Sequence, residues 1–320
     1  MPTTNTLPAT TFLDPAILAR IGNLELLARV VVEGFINGLH RSPSLGASTD
    51  FAEHRAYMPG DDIRRIDWRL FARTDRHYVK EFEADTNTNF MVLLDVSPSM
   101  RYRGGAPEDA RVTKLQYACF LAAALSYFSS TQRDRVGLAT FDRDIVDFVP
   151  CSAKHLQLVL HSLDRAGHAP IPVAPSRAAG AAPARLLAPL KKLAESLRRR
   201  SIVVLISDFY EEPDDVLNAV AFLRGRGNDV IVFHVMDRDE MQFPFIDATN
   251  FVDVESGERM PVVPEYLRKQ YRDLVAAHVA ELERRVREQR MDYALFDTSR
   301  PLDQALFTYL LARQRFAKVR

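Results

Sequence analysis

Only two of the 320 residues are cysteine, Cys119 and Cys151, and both sit in apolar contexts. They read as buried, reduced thiols, which excludes a scaffold built on disulfides. The eight histidines are scattered and no G-x-S-x-G elbow occurs, so no serine-hydrolase triad is spelled out. No Walker motif is present either, so any ATP chemistry belongs to another chain. Net charge is missing as well: 42 basic residues balance 42 acidic ones, and the pI is near 7.1. No global field points to nucleic acid or to an anionic membrane. No stretch offers about 20 apolar residues free of charge, the length a spanning helix needs. The best candidate, Ile17–Leu39, is broken by Arg20, Glu25, Arg29 and Glu33, and it reads as an amphipathic helix. The opening "MPTTNTLPATTFLDP" has no basic region followed by an apolar one, so no secretory signal is expected. Residues 1–14 are expected to be disordered, and the protein to be cytoplasmic, with no membrane insertion and no nucleic-acid partner.

What the chain does have is a regular alternation from residue 90 onward. Apolar runs at 90–94 (FMVLL), 202–206 (IVVLI), 230–235 (VIVFHV) and 293–296 (YALF) suit strands covered on both faces, as in parallel sheets. Residues 113–130 are apolar nearly all round and predict a deeply packed helix. Residues 265–290 predict a charged helix with Leu267, Tyr271, Leu274, His278, Leu282 and Val286 on one stripe, His278 packing at its edge. RVGLATF (135–141) and IVDFV (145–149) lie three residues apart, too close for a parallel crossover, and so form an antiparallel hairpin. The sum is an α/β, doubly wound, Rossmann-like domain over 89–320: five mostly parallel strands and one antiparallel edge, in the order 3-2-1-4-5-6. Residues 167–183, rich in Pro, Ala and Gly, read as a loop, and 251–263 as a hairpin turning at Ser256-Gly257, an insertion within 241–263. Ahead of this domain, 15–88 forms an N-terminal helical and extended segment expected to pack on the core. In it DIRRIDWRLFAR suits a short helix and HYVKEFE a strand.

The run Phe90–Leu94 ends in Asp95, then Ser97 and Ser99 with Pro98 between them. A proline cannot donate to a sheet ladder, so these oxygens lie on a turn at the strand end. The run at 202–206 is followed by Asp208. In the expected order the two strands are neighbours, about 4.8 Å apart, and ligands bind outside the carboxyl ends of such strands. Two close carboxylates repel unless a proton or a cation intervenes. Oxygen donors without His or Cys suit Mg²⁺, and Mn²⁺ or Ca²⁺ less obviously. The alternative use of Ser97 and Ser99 is to cap the turn that follows the strand.

Asp95-x-Ser97-x-Ser99 with a later strand-end Asp208 resembles the metal-ion-dependent adhesion site of von Willebrand factor A domains. The resemblance implies both serines bound to the metal, the aspartates acting through waters, and a partner's Glu or Asp completing the octahedron. Such sites also take a threonine from a loop whose counterpart here is 167–183. That stretch has no threonine, and Ser176, its only hydroxyl, is the candidate substitute ligand. The wider chain resembles the bacterial family known as domain of unknown function 58. The likeness rests on G-x-H-x-S at Gly38–Ser42, R-x-Y-x-P-G-D-D-x-R-x-I-D-W at Arg55–Trp68, Ala72-Arg73, and the helix YLRKQYRDLVAAHVAELERRV. This resemblance implies an AAA+ ATPase of the MoxR class as partner, in a chaperone-like or complex-maturation role. Arg55, Tyr57, Asp61, Asp62, Arg64, Asp67, Trp68 and Arg73 are then candidates for docking that partner. The same segment serves equally as a structural anchor, with Tyr57 and Trp68 on the core and Asp61, Arg64, Arg65 and Asp67 pairing internally.

The expected function is thus a non-catalytic, metal-dependent interaction module. The competing reading is a Mg²⁺-dependent phosphohydrolase using Asp95, since haloacid-dehalogenase-type enzymes also place an aspartate at the end of the first strand. Such enzymes need a second aspartate two residues on for general acid work. Ser97 stands there instead.

Overall fold

A computed structural model describes residues 15–18, 22–41, 54–56, 75–76, 78–80, 88–105, 111–169, 186–197, 199–253 and 257–302. The chain divides into two compact units, one made of Met1–Ile36 with Thr88–Arg320, the other of Asn37–Asn87. The first helices are α1 (Pro15–Leu18) and α2 (Leu24–Arg41). The expected single helix from Ile17 is divided because Asn23 starts a new one: its Oδ1 accepts the Leu26 amide at 3.0 Å. Leu27, Ala28, Val31 and Val32 are buried while Arg29 and Glu33 pair on the exposed side, as an amphipathic helix requires.

In the smaller unit, β1 (His54–Ala56) pairs antiparallel with β2 (Tyr78–Lys80), which falls inside the HYVKEFE stretch. The helix expected at DIRRIDWRLFAR lies outside the described residues, as do residues 1–14.

The α/β body runs β3 (Asn89–Asp95), a 3₁₀ turn (Pro98–Arg101), α3 (Lys114–Thr131), β4 (Arg135–Phe141), β5 (Ile145–Ser152), α4 (Leu156–His168) and α5 (Leu187–Ser196). It continues through β6 (Ser201–Ser207), α6 (Pro213–Gly225), β7 (Asp229–Met236), α7 (Arg238–Gln242), β8 (Thr249–Val252), β9 (Arg259–Val262), α8 (Pro264–Glu288) and β10 (Asp292–Asp297). The main sheet has the order β10-β7-β6-β3-β4-β5, parallel throughout except for β5, which returns antiparallel beside β4. Counted among themselves, its strands follow the expected 3-2-1-4-5-6. The run Phe90–Leu94 is apolar without alternation because β3 is covered on both faces. Met91 and Leu93 meet α5, α6 and α8 through Leu190, Leu193, Val216, Val220, Leu282 and Val286. Phe90, Val92 and Leu94 alternate to the opposite face, where α3 packs.

Two expectations change in detail. Helix α4 reaches His168, so residues 167 and 168 are helical rather than loop; residues 170–183, Ser176 among them, lie outside the described residues. Of the predicted stripe on α8 only Leu282 and Val286 are buried, whereas Leu267 and Leu274 are 40% and 62% exposed, so the stripe reaches the core only toward the C-terminal end of the helix. The β8–β9 hairpin forms as expected, with Gly257 at φ +74 supplying the left-handed turn residue. Cys119 and Cys151 are free, and burial pushes both thiols up to about 12, which keeps them protonated. Among the described residues no helix is long and apolar enough to cross a membrane.

His234 in β7 is wholly buried with Nδ1 2.8 Å from the Tyr293 hydroxyl. Burial, with the nearby His278 and Lys114 charges, holds its pKa down to about 3. In the unfolded chain it would titrate near 6.5. Below that pH the unfolded state takes up a proton that the native state refuses, so the contribution is full above 6.5 and is lost as pH falls toward 3. Urea unfolding between pH 6.5 and 4 should show stability falling about 1.4 kcal/mol per pH unit more steeply than in His234→Gln.

Candidate metal centre

The strand order places the end of β3 directly beside the end of β6. Asp95, the last residue of β3, is 6% exposed and has both carboxylate oxygens engaged: Ser207 Oγ donates to Oδ2 at 2.6 Å and the Ser97 amide to Oδ1 at 2.8 Å. Ser97 precedes the 3₁₀ turn, and Pro98 occupies its first position, where no N–H is needed. The Ser97 side chain makes no capping bond; its Oγ lies 3.0 Å from Ser99 Oγ. The capping alternative therefore does not describe Ser97. Asp208 follows β6 at once, and Phe209 after it adopts a left-handed φ of 44, which a bulky residue normally avoids. Two bonds hold it there: its amide donates to Ser207 Oγ at 3.2 Å, and its carbonyl accepts from His278 Nε2 at 2.8 Å. His278 is thus a ligand of the site's backbone, beyond the packing role expected of it.

Burial pushes the Asp95 carboxyl up to about 7, and the Asp208 charge adds to the push, while the Ser207 and Ser97 hydrogen bonds hold it back. That is the conflict between neighbouring acids which a proton or a cation relieves. One cation is already built in. Lys114, at the first turn of α3, is 0% exposed and donates to Asp208 Oδ2 at 2.9 Å, Glu240 Oε1 at 2.7 Å and the Tyr210 hydroxyl at 3.3 Å. Burial alone would lower its pKa, but the two carboxylates outweigh that and raise it. The sequence reading missed this residue. One signal was available: Thr113 and Gln116 form a capping box that starts α3, and a lysine in a first helical turn opposes the helix dipole. A cation so placed needs acids from elsewhere.

The supporting acids are themselves fixed. Glu240 Oε2 accepts the Asp237 amide at 2.9 Å, closing the capping box of α7. Asp239 accepts from Arg111 at 2.9 Å and from the Gly105 amide at 3.0 Å. A Cβ on Gly104 would lie 2.2 Å from Asp239 Oδ2, so a larger residue there would require the Asp239 carboxylate to shift.

Among the described residues no three His, Cys, Asp or Glu side chains group as a metal site. A metal here would depend on the Ser97 and Ser99 hydroxyls with Asp95 and the remaining oxygen of Asp208. This all-oxygen set, carrying an acid pair with a charge conflict, fits a hard cation such as Mg²⁺. The structure brings Asp95, Ser97, Ser99 and Asp208 to adjacent strand ends, as expected. Arg55 lies on β1; Tyr57, Asp61, Asp62, Arg64, Asp67, Trp68 and Arg73 lie outside the described residues.

The sequence matches the model of the family described as protein of unknown function DUF58 over residues 53–281. An uncharacterized protein of Mycobacterium tuberculosis is 28% identical over 281 residues, spanning 86% of this chain and 82% of that protein. An uncharacterized protein of Mycobacterium bovis matches at the same level, 28% over 281 residues. Among solved structures, BatB from Bacteroides thetaiotaomicron aligns with a TM-score of 0.45 and 14% identity over 72% of this chain and 99% of that one. An aerotolerance-related membrane protein from Bacteroides fragilis aligns with a TM-score of 0.44 and 18% identity, covering 71% and 99%. Both likenesses are too distant to bear on function.

Removing the lysine tests its place in the site. Lys114→Met strands Asp208 and Glu240 as buried charges without their counter-ion, and should lower unfolding free energy by about 3–5 kcal/mol. Urea denaturation at pH 7 measures it; a loss below 1 kcal/mol would mean that solvent reaches these acids.

Proposed function

The chain belongs to the DUF58 family, and from that premise we propose that it is a non-catalytic, cytoplasmic interaction module with a von Willebrand factor A-like domain. It takes hold of a partner's carboxylate through a divalent ion held by Asp95, Ser97, Ser99 and Asp208, with Mg²⁺ the best match to the donors. The partner is an AAA+ ATPase of the MoxR class, and the role is chaperone-like assembly or maturation of a complex. The observation that supports this reading is the meeting of Asp95-x-Ser97-x-Ser99 and Asp208 at adjacent parallel strand ends. When bound, a hard dication supplies a coordination position that a carboxylate from outside can fill. The chain's own part is to hold the donors still. Ser207 and the Ser97 amide orient Asp95, and Lys114 orients Asp208.

The phosphohydrolase alternative gains nothing from the buried lysine. Lys114 is 0% exposed and directs its ammonium to three internal acceptors, so it has nothing to offer a substrate phosphate. Ser97 also stands where that chemistry needs an acid.

Co-purification on tagged protein tests the module. Chelation of divalent ions and Asp95→Ala should each deplete the captured ATPase to a similar degree, with circular dichroism unchanged. A complex that survives both treatments would place docking on another surface, and the Arg55–Arg73 segment would be tried next.

A further inference from the structure

We propose that Lys114 is a resident counter-cation that keeps Asp208 occupied, so that the free protein binds a divalent ion weakly and binds it well only when a partner adds negative charge. The inference rests on the metal reading above and names the residue that sets how tightly the ion is held.

A surface lysine would swing aside for an incoming metal. Lys114 cannot. Its side chain is wholly buried, and its three ammonium protons meet three acceptors at 2.7 to 3.3 Å, on Glu240, Asp208 and Tyr210. The Tyr210 ring adds a face 4.7 Å from the nitrogen. Glu240 cannot follow the lysine elsewhere, because its second oxygen caps α7. Asp239, the other nearby acid, is held by Arg111 and the Gly105 amide. The ammonium is therefore a fixed charge 2.9 Å from the Asp208 oxygen.

A dication that shares Asp208 must approach this like charge. At an effective dielectric of about 20, repulsion between charges a few ångströms apart is enough to change affinity by about tenfold or more. Asp95, Ser97 and Ser99 then carry most of the binding, with water filling the remaining positions, and Mg²⁺ gives up water reluctantly. A partner's carboxylate offsets the lysine, and linkage requires ion and partner to strengthen each other by the same factor. Lys114 thereby makes the ion's residence conditional on the complex.

The full-length protein should be titrated with Mg²⁺ by calorimetry and with Mn²⁺ by electron paramagnetic resonance. The informative variant is Lys114→Met/Glu240→Gln, which removes one charge of each sign and leaves the formal charge of the group unchanged, while freeing Asp208. It should bind Mn²⁺ about tenfold or more tighter than wild type, and the ion should raise its melting temperature. A purely structural lysine would give equal or weaker binding in this variant, and that result overturns the inference while leaving the metal reading intact. If the double variant does not fold, Glu240→Gln alone decides: it leaves the ammonium less compensated and should weaken Mn²⁺ binding below wild type. Unchanged or tighter binding in Glu240→Gln overturns the inference. Failure of wild type and every folded variant to bind either ion overturns both the inference and the metal reading.

Discussion

The arrangement of the loops above the sheet depends on one buried ammonium. A charge removed from water is costly unless acids surround it, and Lys114 meets that condition only while the end of β6, the start of α3 and the cap of α7 are all in place. None of these segments can drift without leaving a charge unpaired. The same ion pair fixes Asp208 beside the strand end that carries Asp95, Ser97 and Ser99.

The sheet makes that convergence available. β3 is central, paired on one side with β4 and on the other with β6, so its end faces both neighbours. Ser207 uses the proximity twice, donating to Asp95 and accepting from the Phe209 amide. Phe209 pays for the turn with a left-handed backbone. Helix α8, through His278, braces the same residue at its carbonyl. A shift of α8 would therefore be felt at Asp208 through its covalent neighbour Phe209.

Much of this was legible in the sequence. Apolar runs without alternation identified β3, β6 and β7 as strands covered on both faces, and the three-residue link between β4 and β5 required an antiparallel return. Strand-end positions then singled out Asp95 and Asp208. The limits were equally physical. Its place in the first turn of α3 is the one local mark on Lys114, and it names no partner, because the acids that bury it lie 94 and 126 positions away. The α8 stripe was uniform in sequence, yet only Leu282 and Val286 found a core to enter.

The sequence by itself determined the burial of the central strands, the antiparallel return of β5 and the strand-end positions of Asp95 and Asp208, because periodicity, link length and strand-end position are local properties that survive into any compact arrangement. Tertiary structure alone decided which charge opposes which. Ser97 turned toward Ser99 and not toward a cap, His278 reached a carbonyl on another element, and Lys114 became the counter-ion of Asp208 and Glu240. Electrostatic pairing acts through space over a few ångströms, and only folding brings together residues that the chain keeps a hundred positions apart.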